Sequence, residues 1–155
     1  MNIQPPHARN LIPGKAVTGT YEITLNGEKF LATAASVFVG CAPPFGCWRD
    51  VGFYAPEEVL TRKTVTASLP LDLPPGKYPI TGDDTGASGA YLIARKTTSG
   101  GWYVTSYGAG EGWFTLTAAA EQTQHMKGSF EFVVMIEGLR QTLAGTFDIQ
   151  NAAMP

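Results

Sequence analysis

Apolar and polar residues alternate along this chain in short runs broken by glycine and proline, the period-two pattern of half-buried strands. Val17 to Leu25 sets Tyr21, Ile23 and Leu25 on one side. Asn26-Gly27 follows, a favoured pair for a tight type I′ turn, and predicts Lys29 to Val39 as the returning partner strand. Gly40 to Glu58 is rich in Pro and Gly and reads as irregular. Val59 to Leu69 resumes the alternation through Val65, Ala67 and Leu69. Pro74-Pro75-Gly76-Lys77-Tyr78 predicts a turn feeding a short strand to Ile80. After a polar loop from Thr81 to Gly89 come strands over Ala90 to Lys96, Trp102 to Tyr107 and Trp113 to Ala118. Ala118 to Met126 consists of good helix formers without an apolar stripe, and reads as a long hairpin loop with at most one helical turn.

The last two strands carry an echo. Gly128-Ser129-Phe130-Glu131-Phe132 is repeated in character by Gly145-Thr146-Phe147-Asp148-Ile149, with Gly138 between them. Phe130, Phe132, Phe147 and Ile149 then face a core, and Glu131 and Asp148 face water. Two copies are too few for a stacked array, so the echo reads as a closing hairpin. Eight to ten short strands joined by local turns predict an all-β antiparallel sandwich or flattened barrel. The expected organisation is a flexible lead-in over 1–16, one domain over 17–150 and a short tail over 151–155.

At 155 residues the chain is long enough to bury a real core. Only 15% of its residues are charged and the net charge is -2, with the eleven basic residues scattered. Nothing here tracks phosphates, so nucleic acid is not an expected partner. No apolar run has the length of a membrane span. Residues 1–15 lack the cationic start and apolar stretch of a secretory signal, so the sequence as written is expected in the cytoplasm. A mature domain whose signal had been removed would instead belong to the periplasm or cell surface.

The order of motifs resembles the DUF6252-like group of small Bacteroidetes lipoproteins. The matching pieces are Leu69 to Tyr78, Ala90-Tyr91, Gly112 to Thr117, Gly128 to Phe132 and Gly145 to Ile149. The resemblance covers most of the chain from about Val17 onward and implies a bacterial β-sandwich; no catalytic residues come with it. The lipidated cysteine of that group has no counterpart here, and the loop from Cys41 to Cys47 lies outside its pattern.

That loop, Cys41-Ala42-Pro43-Pro44-Phe45-Gly46-Cys47-Trp48, is the most unusual local sequence. It reads as a disulfide worth roughly 2 kcal/mol, as two unlinked structural thiols, or as a metal or nucleophile site. The spacing is wider than zinc pairs prefer. Gly46-Cys47-Trp48 echoes papain-like proteases, without their helix or preceding glutamine. Thr81 to Gly89, with Asp83 and Asp84, could hold a cation but departs from EF-hand spacing and suits an ordinary turn. Glu111, Glu131 and Glu137 could supply a carboxylate pair for glycoside hydrolysis. His7 and His125 are isolated in the sequence. No nucleophile elbow, phosphate loop or dinucleotide fingerprint is present, and no metal or cofactor is expected.

Aromatic residues give the remaining lead. Alternation sends Trp102 and Tyr103 to opposite faces, and Trp113 and Phe114 likewise. Outward Trp and Tyr can stack on sugar rings or on a protein. The sequence therefore predicts a non-enzymatic binding module for a protein or carbohydrate partner. Its candidate contact residues are Trp48, Trp102, Tyr103, Tyr107 and Trp113, beside the Cys41–Cys47 loop. The alternatives are a lipid-like ligand carrier with a barrel cavity, or a hydrolase using a carboxylate or Cys47.

Overall fold

Tight turns and alternation build the molecule from hairpins. A computed structural model describes residues 17–44, 46–82, 86–120 and 124–151. The lead-in with His7, Asp83 and Asp84 of the polar loop, residues 121–123 and the tail beyond Asn151 lie outside the described residues. The described residues form eleven strands: β1 (Val17–Leu25), β2 (Glu28–Lys29), β3 (Ala34–Cys41), β4 (Cys47–Tyr54), β5 (Thr61–Pro70), β6 (Gly76–Ile80), β7 (Ser88–Lys96), β8 (Trp102–Gly108), β9 (Glu111–Ala120), β10 (His125–Ile136) and β11 (Leu139–Asn151). Among the described residues there is no helix, and so none long and apolar enough to cross a membrane.

The strands form two antiparallel sheets, ordered β2-β1-β11-β10-β9-β6 and β3-β4-β5-β7-β8. They pack face to face as a sandwich; the sheets do not close into a barrel. Between them lies a ring cluster centred on Phe53, whose centroid is 5.4 Å from Tyr21, 6.0 Å from Phe130 and 5.9 Å from Phe147. Phe114 and Phe132 complete this layer, both fully buried. Side chains thus fill the space between the sheets.

The closing hairpin is the one the echo predicts. Phe130, Phe132, Phe147 and Ile149 are all buried. In the β10–β11 register Gly128 stands opposite Phe147 and Phe130 opposite Gly145. Each copy of the echo therefore sets its glycine beneath the other copy's phenylalanine, about a local two-fold between Ser129 and Thr146. Glu137 and Gly138 turn the hairpin with positive φ at both positions, as Asn26 and Gly27 do between β1 and β2.

Three expectations are corrected. The partner of β1 across the Asn-Gly turn is only Glu28–Lys29; the chain then buries Phe30 and crosses to begin β3 in the other sheet. The segment from Gly40 to Glu58 is not irregular throughout, because β4 is a strand lying between β3 and β5. Residues 47–54 escape an alternation test because both faces of β4 are largely buried, even at Asp50. The expected long loop from Ala118 to Met126 is strand at both of its ends, with β9 reaching Ala120 and β10 starting at His125.

Candidate functional site

Alternation divides the six-stranded sheet sharply. Phe114, Leu116, Phe130, Phe132, Leu143 and Phe147 point into the core. Their neighbours Trp113, Thr115, Ser129, Glu131 and Thr146 must then stand on the outer face. Registers connect these into rows running across the sheet. One row is Lys77, Thr115, Ser129, Thr146 and Glu22. The next is Pro79, Trp113, Glu131, Ala144 and Thr24.

The physical result is a shallow groove of about 430 Å³. Small hydroxyl side chains make its floor, because Thr115, Ser129 and Thr146 sit side by side between larger neighbours. Trp113 makes one wall and is 48% exposed. The Lys77 ammonium lies 4.6 Å from the Trp113 ring centroid, a cation–π contact that holds the indole at the groove's rim. Glu22 and Glu131 bring carboxylates to the same groove. A second hollow of about 610 Å³ shares Glu22, Ser129 and Thr146 and continues the strip past Lys127 and Asp148. Asp148 is held there by His125, whose Nε2 is 2.6 Å from Oδ1.

The other expected contact residues do not join Trp113. Trp48 lies on the outer face of the five-stranded sheet and is buried. Trp102 is on that same face at the edge strand β8, half-buried under the Arg62 guanidinium at 4.0 Å. Tyr103 and Tyr107 take the opposite side of β8; Tyr103 is exposed beyond the core, and Tyr107 packs against it. The five aromatics are thus divided between the two faces of the five-stranded sheet and the outer face of the six-stranded one, and of the five Trp113 alone lines the groove.

Cys41 and Cys47 are joined by a disulfide, with Sγ–Sγ 2.08 Å and Cα–Cα 4.0 Å. They form the last pair of the β3–β4 ladder, so the bridge clamps a hairpin end. A disulfide leaves no thiolate for nucleophilic attack. His125 lies on the six-stranded sheet, paired with Asp148 rather than with a cysteine. Among the described residues no cluster of three His, Cys, Asp or Glu side chains could hold a metal. Glu22 and Glu131 share the groove but stand in solvent on an open sheet face. Neither is enclosed in the low-dielectric pocket that a glycosidase acid requires. Glu111 is paired with Arg140 at 2.5 Å, and Glu137 belongs to the β10–β11 turn.

The groove residues that sequence reading passed over are Glu22, Lys77, Thr115, Ser129 and Thr146. A signal for two of them existed: the hydroxyl position of the echo is the one that both strands devote to the floor. Comparison with protein-family models, curated proteins and solved structures finds no match to this chain.

Proposed function

We propose that this protein is a non-enzymatic binding module that holds a glycan chain on the outer face of its six-stranded sheet. The observation that carries the reading is Trp113, half-exposed on the wall of a groove floored by Thr115, Ser129 and Thr146. A sugar ring presents an apolar face and a rim of hydroxyls. An indole takes the face, while small hydroxyls, carboxylates and an ammonium take the rim. The groove carries both signs of charge, from Lys77 on one side and Glu22 and Glu131 on the other, which suits a neutral polysaccharide better than a strongly anionic one. Its open ends along the strip past Lys127 admit a chain running beyond one residue.

A lipid-like carrier would need an interior cavity, and here the interior is filled by phenylalanines. A hydrolase would need its acid shielded. Retention on insoluble neutral polysaccharides, such as cellulose, xylan, mannan and chitin, tests the reading. The expected result is saturable retention on at least one, without release of reducing ends. Failure to bind any of them overturns the glycan reading, and release of reducing ends overturns the non-enzymatic one.

A further inference from the structure

Beyond the phenylalanine core, one end of the sandwich opens into a cleft. β2 is only two residues long, and after it the chain leaves the six-stranded sheet at Phe30 and crosses to β3. At that end β5 and β7 set Val65 opposite Tyr91, Lys63 opposite Ile93 and Thr61 opposite Arg95. Val65, Tyr91 and Ile93 belong to the core, so alternation turns Lys63 and Arg95 to the same inner side. The cleft that they line measures about 580 Å³, within the range of about 300–1,000 Å³ that small-ligand sites take. It is separate from the Trp113 groove and shares no lining residue with it.

The walls are apolar. Phe30 and Tyr91 meet edge to face at 6.4 Å and form its buried back. Leu31, 66% exposed, and Val59 stand at its mouth. Val59 is held there in a left-handed conformation that β-branched residues avoid. Its turn is pinned by paired backbone hydrogen bonds between Glu58 and Thr61, both 2.9 Å, and by the Lys96 N–H donating to the Leu60 carbonyl at 2.9 Å. Strain kept in place around an exposed apolar side chain is characteristic of ligand clamps. The polar groups are mainly donors. Tyr91 is 3% exposed, and among the described residues its hydroxyl has no hydrogen-bond partner. Burial raises its phenol, which therefore keeps its proton at neutral pH and can donate it. Lys63 and Arg95 are diagonal neighbours on adjacent strands, exposed and without an ion-pair partner among the described residues. Three donors, two of them cationic, call for an anionic acceptor. Glu28 and Glu58 also line the cleft and balance the two cations, which suits a single carboxylate and works against a multiply charged phosphate. Lys29, opposite Thr24, turns toward the outer face of its own sheet.

We propose that this cleft binds a small monocarboxylic acid with an apolar body. Lys63, Arg95 and the Tyr91 hydroxyl take the carboxylate, and Phe30, Leu31 and Val59 take the body. Titration of the full-length protein with octanoate and with phenylacetate, followed by amide and tyrosine-ring shifts, tests it. Saturable shifts at Phe30, Lys63, Tyr91 and Arg95 are expected with at least one of the acids, while the Trp113 indole stays still. The matching alcohol, octanol or phenylethanol, should bind roughly tenfold more weakly or worse. The same loss is expected for the acid on a Lys63→Gln, Arg95→Gln double variant, whose changes fall on exposed side chains. Tyr91→Phe, which removes only the hydroxyl, should weaken binding several-fold with the spectrum otherwise intact. No saturable shift with either acid overturns the proposal, and an alcohol that binds as well as its acid overturns the carboxylate assignment. Shifts at these residues that appear on raising the protein concentration alone would give the cleft to a second copy of the chain and overturn it too.

Discussion

Phe130 and Gly145 face each other across β10 and β11, and the ring occupies the space a side chain at Gly145 would need. A Cβ built there comes within 2.6 Å of Phe130 Cζ and 2.5 Å of Ile23 Cδ1. The glycine of one echo copy is thus a seat for the aromatic of the other. Gly145→Ala should overpack this layer and cost about 1–3 kcal/mol, lowering the melting temperature by several degrees. Gly138→Ala meets no neighbour and carries only the penalty of positive φ, so it should cost less. Equal losses for the two would contradict the seating.

Val59 and Leu60 link β4 to β5 with positive φ at both positions, 48° and 57°, although they are 89% and 58% exposed. A β-branched residue is strained there, and neither side chain recovers the cost by burial. Val59→Asn with Leu60→Gly supplies the pair that such a turn favours, as at Asn26-Gly27. The double variant should be more stable by about 1–2 kcal/mol, read as a higher denaturant midpoint at unchanged slope. A lower midpoint would mean that Val59 and Leu60 make stabilising contacts.

These elements show what the sequence could disclose. β1, β10 and β11 were legible because each buries one face only, leaving alternation intact and glycine at its turns. β4 was hidden because Asp50 and Trp48 are buried on its second face, where a polar residue reads as solvent and a tryptophan as a contact. For the same reason the choice of Trp113 among five aromatics was not available: its distinction is the row of hydroxyls that its own strand and two others, β10 and β11, bring beside it. Fold class follows from local periodicity, whereas a groove depends on register between distant strands.

Burial pushes the Tyr54 phenol up to about 12; the nearby Asp50 charge adds to the rise, and the Ser36 hydrogen bond opposes it. Burial raises Tyr91 as well. An unfolded tyrosine ionises near pH 10, so above that pH the unfolded chain loses the proton that the folded state keeps. The stability tied to the Tyr54 phenol is full below about pH 10 and is lost as pH rises toward 12, and Tyr91 contributes a loss of the same sign. Ultraviolet titration should show tyrosines ionising late, and Tyr54→Phe should flatten part of the alkaline stability loss. A uniform tyrosine titration near pH 10 would contradict the burial of Tyr54.

The Cys41–Cys47 bridge closes a short loop at a strand end. Cys41→Ser with Cys47→Ser should lose about 2 kcal/mol, the loop-entropy value for so few residues. Reductant should lower the melting temperature of the parent protein and leave the variant unchanged. If reductant has no effect on the parent, the bridge contributes nothing to stability.

The claim that Trp113 and the hydroxyl floor form the binding face is tested most directly by chemical-shift mapping with the oligosaccharide of whichever polysaccharide retains the protein. Shifts are expected to centre on the Trp113 indole and on Ser129, Thr115 and Thr146, and Trp113→Ala should weaken affinity by roughly tenfold or more with the spectrum otherwise intact. Shifts confined to another face, or an affinity that survives Trp113→Ala, would contradict the account.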